Sequence, residues 1–256
     1  WDGYLQAIDE DGLLNIACEC DVVLKILCRP GHFITSGETL VMVYGPEELE
    51  EQRDRAVKAI RRSFTWSHDR SAVSAARVVS GEAIRRTVIL GSRRSATQDL
   101  EFVMLQLVEI AVRALSTGVN DPFTAVTCID RLGAAICEIA RRPEPPRTRF
   151  DGDGELRLIL DRTDFDGLCG AAFNQIRQHA RSDAAVLIRL LEAFHRISKQ
   201  VRTEDQKNAI WQHARMVHRA GQELPEPLDR DNVGDRFTKI EEELSSGGVS
   251  PEGEGN

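Results

Sequence analysis

Residues 95–141 read SATQDLEFVMLQLVEIAVRALSTGVNDPFTAVTCIDRLGAAICEIAR, and this stretch decides the fold. Apolar residues recur at intervals of three and four on both sides of Gly118, which predicts two amphipathic helices. Ser95, with Gln98 three residues later, is typical of a capping box at the start of the first helix. Gly118 is expected to end that helix in a left-handed conformation, and Asp121, followed by proline, to begin the second. The short connection predicts an antiparallel helical hairpin at the centre of the protein.

The remainder of the C-terminal half is also predicted to be mainly helical. The expected elements are, in order, a loop at 141–155, a short strand at 156–160, helices capped by Asp164, Ser182 and Thr203, and a last helix with an apolar stripe ending at Leu244. Residues 245–256 contain almost no apolar side chain and are expected to be disordered. The helical domain is therefore predicted to span residues 95–244.

Residues 1–45 show short β-branched runs separated by turns, which is typical of a small β-rich module. The turn at Pro30-Gly31 resembles the hairpin of lipoyl- and biotinyl-type domains. No lysine stands at its tip, since Lys25 lies inside a predicted strand, so we expect an architectural hairpin and no covalent cofactor. Residues 46–94 are predicted to be a connector, with a charged helix over 46–64 and a strand over 84–90. The predicted fold class is thus α+β, a small N-terminal β-rich module followed by a mainly α-helical domain.

Composition excludes several classes of protein. The 256 residues carry 33 basic and 41 acidic side chains, a net charge of −8, which argues against a nucleic-acid partner. The most apolar region, 100–115, is interrupted by charged residues and is shorter than the roughly 20 apolar residues of a membrane helix. As given, the chain is expected to be soluble. It begins at Trp1 without a leader, which suggests that it is a portion of a longer protein.

Six cysteines are present, and we expect them to be reduced, buried thiols of a cytoplasmic protein. The one-residue gap between Cys18 and Cys20 does not fit the common zinc motifs, so no metal site is predicted. His213 and His218 are five residues apart, which points them away from each other on a helix, and His179 and His195 are expected at the surface. No catalytic or phosphate-binding motif occurs, so the sequence gives no positive ground for an enzyme.

A polar stripe on the first hairpin helix is one candidate ligand site. Gln106, Glu109 and Arg113 fall on one side of this helix, with Asn120 and Asp121 at its end. Such a stripe could form the wall of a polar pocket. The alternative is a solvated helix face in which the Glu109–Arg113 pair is an ordinary helical ion pair.

An arginine set ahead of the hairpin is the other candidate site. Arg85, Arg86, Arg93 and Arg94 precede the expected cap at Ser95, and arginines beside a helix N-terminus are suited to binding an anion. A nucleotide, phosphate or lipid head group would be the ligand. The alternative is a solvated basic strand that pairs with the surplus carboxylates of the chain.

Several segments together carry a family resemblance. They are Gly3-Tyr4-Leu5-Gln6-Ala7-Ile8-Asp9, Pro30-Gly31, Gln98-Asp99, Phe102, 106–111, 113–116, Gly118-Val119-Asn120-Asp121-Pro122-Phe123-Thr124-Ala125, Asp130-Arg131-Leu132 and Phe173-Asn174-Gln175-Ile176-Arg177-Gln178. Over about residues 2–220 this pattern resembles an uncharacterised bacterial family of predicted membrane proteins, domain of unknown function twenty-two fifty-four. The resemblance implies membrane-spanning segments upstream, so that this chain is the cytoplasmic portion of an inner-membrane protein. It implies no reaction.

Three functions remain open at this point. The first is a regulatory, sensing or assembly role for a cytoplasmic domain attached to the membrane. The second is a module that binds an anion or another small ligand, and the third is an enzyme acting on a phosphorylated or membrane-derived substrate. The apolar surface of the predicted hairpin also leaves room for a partner chain, such as a second copy in a homo-oligomer.

Overall fold

The computed structural model describes residues 2–45, 81–180 and 183–246. The chain divides into two compact units. The β-rich unit comprises Trp1–Leu100 and Pro145–Arg162, and the helical unit comprises Glu101–Glu144 and Thr163–Asn256. The structure confirms the α+β fold class. The helix predicted at 46–64 and residues 247–256 of the predicted tail lie outside the described residues.

The β-rich unit contains two small sheets. Its elements are β1 (Gly3–Ile8), α1 (Glu10–Cys20), β2 (Val23–Ile26), β3 (Phe33–Ile34), β4 (Val41–Tyr44), α2 (Gly81–Arg86), β5 (Val88–Gly91), β6 (Thr148–Phe150) and β7 (Leu156–Ile159). One sheet has the order β3-β1-β5 and is antiparallel, and the other has the order β4-β2-β7-β6 with β2 and β7 parallel. Leu5, Leu13, Leu24 and Leu158 are fully buried and form the centre of its core. Strands from outside residues 1–45 therefore complete both sheets.

Two local predictions for this unit were wrong. The predicted loop at 141–155 contains strand β6, which pairs with β7. Residues 81–86 form a short helix, and the strand expected from residue 84 begins only at Val88. Strand β5 depends on a distant partner, because it pairs with β1 at separations of eighty residues or more, whereas β6 pairs with the neighbouring strand β7.

The helical unit is built from six helices in its described part. They are α3 (Leu100–Ala114), α4 (Pro122–Ala140), α5 (Phe165–His179), α6 (Ala184–Ser198), α7 (Glu204–Gly221) and α8 (Pro227–Ser246). Asp121, Asp164 and Thr203 cap α4, α5 and α7 as predicted, and Thr203 forms a full capping box with Gln206. The cap predicted at Ser182 was wrong, because the Asp183 carboxylate accepts from the amide of Val186 and caps α6. None of these helices, within the described residues, is long and apolar enough to span a bilayer.

Helix α6 forms the centre of the helical unit. Eight of its fifteen residues are buried, including Leu187, Leu190 and Phe194, and it packs against α4, α5, α7 and α8. Helix α4 contributes Ile129 and Leu132 to the same core. Helix α3 buries only one side, through Met104, Val108, Ala111 and Ala114. The predicted central hairpin is therefore half correct, since its second helix is central and its first lies at the edge.

Candidate functional site

The structure places the predicted arginine set in the β-rich unit. Arg85 and Arg86 end the short helix α2, where Arg86 donates to Glu82 at 2.8 Å in an exposed ion pair. Arg93 is exposed, and its carbonyl oxygen accepts a hydrogen bond from Gln6 Nε2 at 2.7 Å. Arg85 and Arg86 thus lie on a helix rather than on the basic strand expected from the sequence. Anion binding by this set stays a prediction.

Arg94, by contrast, forms an ion pair with Asp99. Its guanidinium donates to Asp99 at two points, Nε to Oδ2 at 2.7 Å and Nη2 to Oδ1 at 2.8 Å. Asp99 has a side chain only 3% exposed, and Gly31 lies directly against the pair. The hairpin predicted at Pro30-Gly31 is not formed, because the flanking strands β2 and β3 belong to different sheets. The segment is a turn bonded to β1: the Gly31 amide donates to the Leu5 carbonyl, and the Leu5 amide donates to the His32 carbonyl. The Arg94–Asp99 pair packs against this turn. The position of Arg94 is thereby explained by the fold.

The expected capping box at Ser95 is not formed. Helix α3 begins at Leu100, and Ser95 Oγ instead hydrogen-bonds Thr97 Oγ1 at 2.7 Å. The Gln98 side chain accepts from the Ile8 amide at 3.0 Å and donates to the Ile8 carbonyl at 3.2 Å. Gln98 therefore pairs with the end of β1 as a neighbouring peptide group would, and it is not available as an N-terminal cap.

The polar stripe lies on the solvent side of α3 in the helical unit. Glu109 and Arg113 form an ion pair, and their side chains are 61% and 77% exposed. Ser116 Oγ donates to the Arg113 carbonyl at 2.7 Å, and Gln106 is exposed. In the described residues these side chains lie on an exposed helix surface, and ligand binding by them stays a prediction.

The loop after α3 is closed by its own hydrogen bonds. Asn120, with a φ of 50°, is the left-handed residue that was expected at the glycine. The amides of Asn120 and Asp121 donate to the carbonyls of Ser116 and Ala114 at 2.9 and 2.8 Å. Asp121 accepts from the side-chain hydroxyl and the amide of Thr124, and these hydrogen bonds lower the pKa of its carboxyl group. Asn120 and Asp121 thus shape the turn.

Apolar side chains project from the same side of α3 and from the turn. Val103 and Ile110 are 41% and 49% exposed, and Val119 and Phe123 are 62% and 82% exposed. We call these four residues the α3–α4 face. The sequence indicated a wide apolar surface on this hairpin, but only the structure shows which residues the core leaves uncovered. A surface with several exposed large apolar side chains is typical of an interaction site.

The ten predicted site residues belong to different units. Arg85, Arg86, Arg93, Arg94 and Ser95 lie in the β-rich unit, whereas Gln106, Glu109, Arg113, Asn120 and Asp121 lie in the helical unit. Within the units, the structure brings Glu109 to Arg113 and joins Arg94 to a residue outside the predicted set.

One contact between a buried histidine and an exposed carboxylate was not found from the sequence. His213 on α7 is 5% exposed, and its Nε2 lies 3.3 Å from Asp166 Oδ1 on α5. Burial lowers the pKa of His213, against the opposing effect of the Asp166 carboxylate. The sequence contained a signal for the burial of His213. This residue lies three positions after Ile210 and four before Val217, so it shares their side of the helix, and the structure buries both of them.

The helical unit also contains a small cavity. It lies between α6 and α8 and is lined by Leu191, Glu192, His195, Arg236 and Lys239. Arg236 Nε already lies 3.4 Å from Glu192 Oε1, so the charges around this cavity are of both signs. In the described parts of the chain, no cluster of three or more His, Cys, Asp or Glu side chains could hold a metal ion.

Comparison with known proteins shows the family to which the chain belongs. The model of the family described as Predicted membrane protein (DUF2254) matches residues 1–196. The chain belongs to this family, as the resemblance in its sequence indicated. Its relatives include an uncharacterized protein of Mycobacterium bovis and one of Mycobacterium tuberculosis, each 27% identical over 232 residues. No solved structure matches the chain.

These relatives are considerably longer than the chain. The alignment covers 90% of this chain but 40% of each relative, so the chain spans less than half of the curated proteins it matches.

Proposed function

We propose that this chain is the cytoplasm-facing part of a bacterial inner-membrane protein and that it serves in assembly rather than in catalysis. The observation that carries the proposal is the α3–α4 face, where Phe123 is 82% and Val119 is 62% exposed. Keeping these side chains in water forgoes the stabilisation of burial, which is about 1.5 to 3 kcal/mol for a large apolar side chain. A protein partner that covers the face recovers that free energy.

The cytoplasmic orientation is supported by the cysteines. All six are free thiols, as expected in a reducing compartment. Three of them, Cys28, Cys128 and Cys169, are buried, whereas Cys18 is exposed, so the expectation of uniformly buried thiols was wrong.

The assembly proposal is tested in the full-length membrane protein. Phe123→Ser is expected to reduce the mass of the particle extracted in mild detergent, measured by native mass spectrometry. Leu228→Ser is the matched control, because Leu228 is 65% exposed at the start of α8, away from the face in the sequence. An unchanged mass in Phe123→Ser, or an equal loss in both variants, would contradict the proposal.

A further inference from the structure

The outward side of α3 carries both apolar and charged side chains in a regular order. Val103, Gln106 and Ile110 follow one another at intervals of three and four, so they form a single stripe along the helix. Glu109 and Arg113 lie one turn apart along one edge of that stripe, the acid nearer the N-terminus and the base nearer the C-terminus. This order of charges is what makes the surface self-complementary.

Two identical helices related by a two-fold axis perpendicular to both helices run antiparallel, and each edge of one then faces the same edge of the other in reverse. For α3, this places Glu109 of each copy opposite Arg113 of the other. In the same register, Ile110 of both copies lies near the axis, and Gln106 lies opposite Ser116 of the second copy. Polar residues thus meet polar residues, and apolar residues meet apolar ones.

We propose that the α3–α4 face is covered by a second copy of this chain, in an antiparallel two-fold pair with reciprocal Glu109–Arg113 contacts. The inference rests on the proposed assembly function and names its partner. Charge is the argument for a second copy over an anionic membrane. The chain carries a net charge of −8, and the edge of the stripe carries one acid for its one base.

The size of the face requires the turn as well as the helix. Fifteen residues of α3 extend over only about 22 Å. A stable interface buries about 800 Å² on each partner, which is more than one helix edge of that length supplies. Val119 and Phe123 are exposed apolar residues that follow the end of α3, and the proposed interface includes them.

The experiment uses charge exchange between two differently tagged copies of the full-length protein, expressed together and purified through one tag. Two wild-type copies are expected to co-purify. Two Glu109→Arg copies, or two Arg113→Glu copies, place like charges opposite each other and should reduce recovery about tenfold. Glu109→Arg paired with Arg113→Glu restores both contacts and should restore recovery. The thermal unfolding of each variant shows that the loss is not a loss of folding.

The outcomes separate the two proposals. If both single charge reversals co-purify as well as wild type, or if the mixed pair is not restored, the antiparallel pairing is wrong. If the charge reversals have no effect while Phe123→Ser still reduces the particle mass, the assembly function stands and its partner is not this pairing. If neither change has an effect, both proposals are overturned.

Discussion

Arg94 and Asp99 form a two-point ion pair that packs against the backbone of the Pro30-Gly31 turn. The guanidinium donates from Nε and Nη2 at 2.7 and 2.8 Å, and the carboxylate is 3% exposed. The pair connects the segment before α3 to the turn beside β1, two parts of the chain about 65 residues apart. An arginine that resembled a ligand-binding group in the sequence is therefore part of the framework of the β-rich unit.

Removing the acid of this pair is expected to destabilise the β-rich unit. Asp99→Ala leaves the Arg94 guanidinium, 22% exposed, without its two-point acceptor, and a loss of about 2 to 3 kcal/mol is expected. The measurement is urea unfolding, with hydrogen exchange at the amides of Leu5 and Gly31. Arg86→Ala is the control, because the exposed Arg86–Glu82 pair should contribute less than about 1 kcal/mol. Equal effects of the two variants would show that the buried pair has no special role.

Substitutions at two glycines of the β-rich unit can distinguish the cost of backbone strain from the cost of steric overlap. Gly31 and Gly37 have φ values of 98° and 91°, a region that side chains with a Cβ rarely adopt. A Cβ at Gly31 would overlap Asp99, whereas a Cβ at Gly37 meets no atom within 4 Å. Gly37→Ala is therefore expected to cost about 1 kcal/mol and Gly31→Ala about 2 to 4 kcal/mol in urea unfolding. Similar costs would mean that the ion pair moves aside easily.

His213 is expected to make the stability of the helical unit depend on pH. Burial holds the pKa of His213 below its ordinary value of 6.5, so the unfolded chain binds the proton more readily. Stability should then be fully present above about pH 6.5 and fall as the pH decreases below it. His213→Asn should show a shallower decrease between pH 7.5 and 5 in urea unfolding. The pKa values of His195 and His218 are also lowered by burial, so a residual slope is expected. An unchanged slope would exclude His213 as a contributor.

The cysteines should react in the order of their exposure and pKa. Cys18 is exposed, whereas burial raises the pKa of Cys28 to about 11 and raises that of Cys169 as well. Because the thiolate is the reactive form, a maleimide at pH 7.5 should label Cys18 first and leave Cys28 and Cys169 unlabelled until the protein unfolds. Peptide mass spectrometry after timed labelling measures the order.

The same reaction reports the orientation of the full-length protein. A maleimide that does not cross membranes should label Cys18 in inverted membrane vesicles and not in intact cells. Labelling in intact cells would contradict the cytoplasmic orientation.

The sequence by itself determined the helices of the helical unit, most of their caps and the fold class. These features depend on residues within four positions of one another, such as Asp121 with Thr124 and Thr203 with Gln206. Their pattern can therefore be recognised in the sequence alone. The family was also evident from the sequence, through short motifs on both sides of the hairpin.

Only the tertiary structure decided which helix is central, which strands complete the sheets and which polar side chains are bonded to other parts of the chain. Gln98 binds Ile8 ninety residues away, and Arg29 lies 3.1 Å from Asp161 across 132 residues. Such contacts leave no periodic trace, because their free energy depends on chain segments that meet only after folding. For the same reason, only the folded structure shows that α6 lies at the centre of the core and that one side of α3 remains exposed.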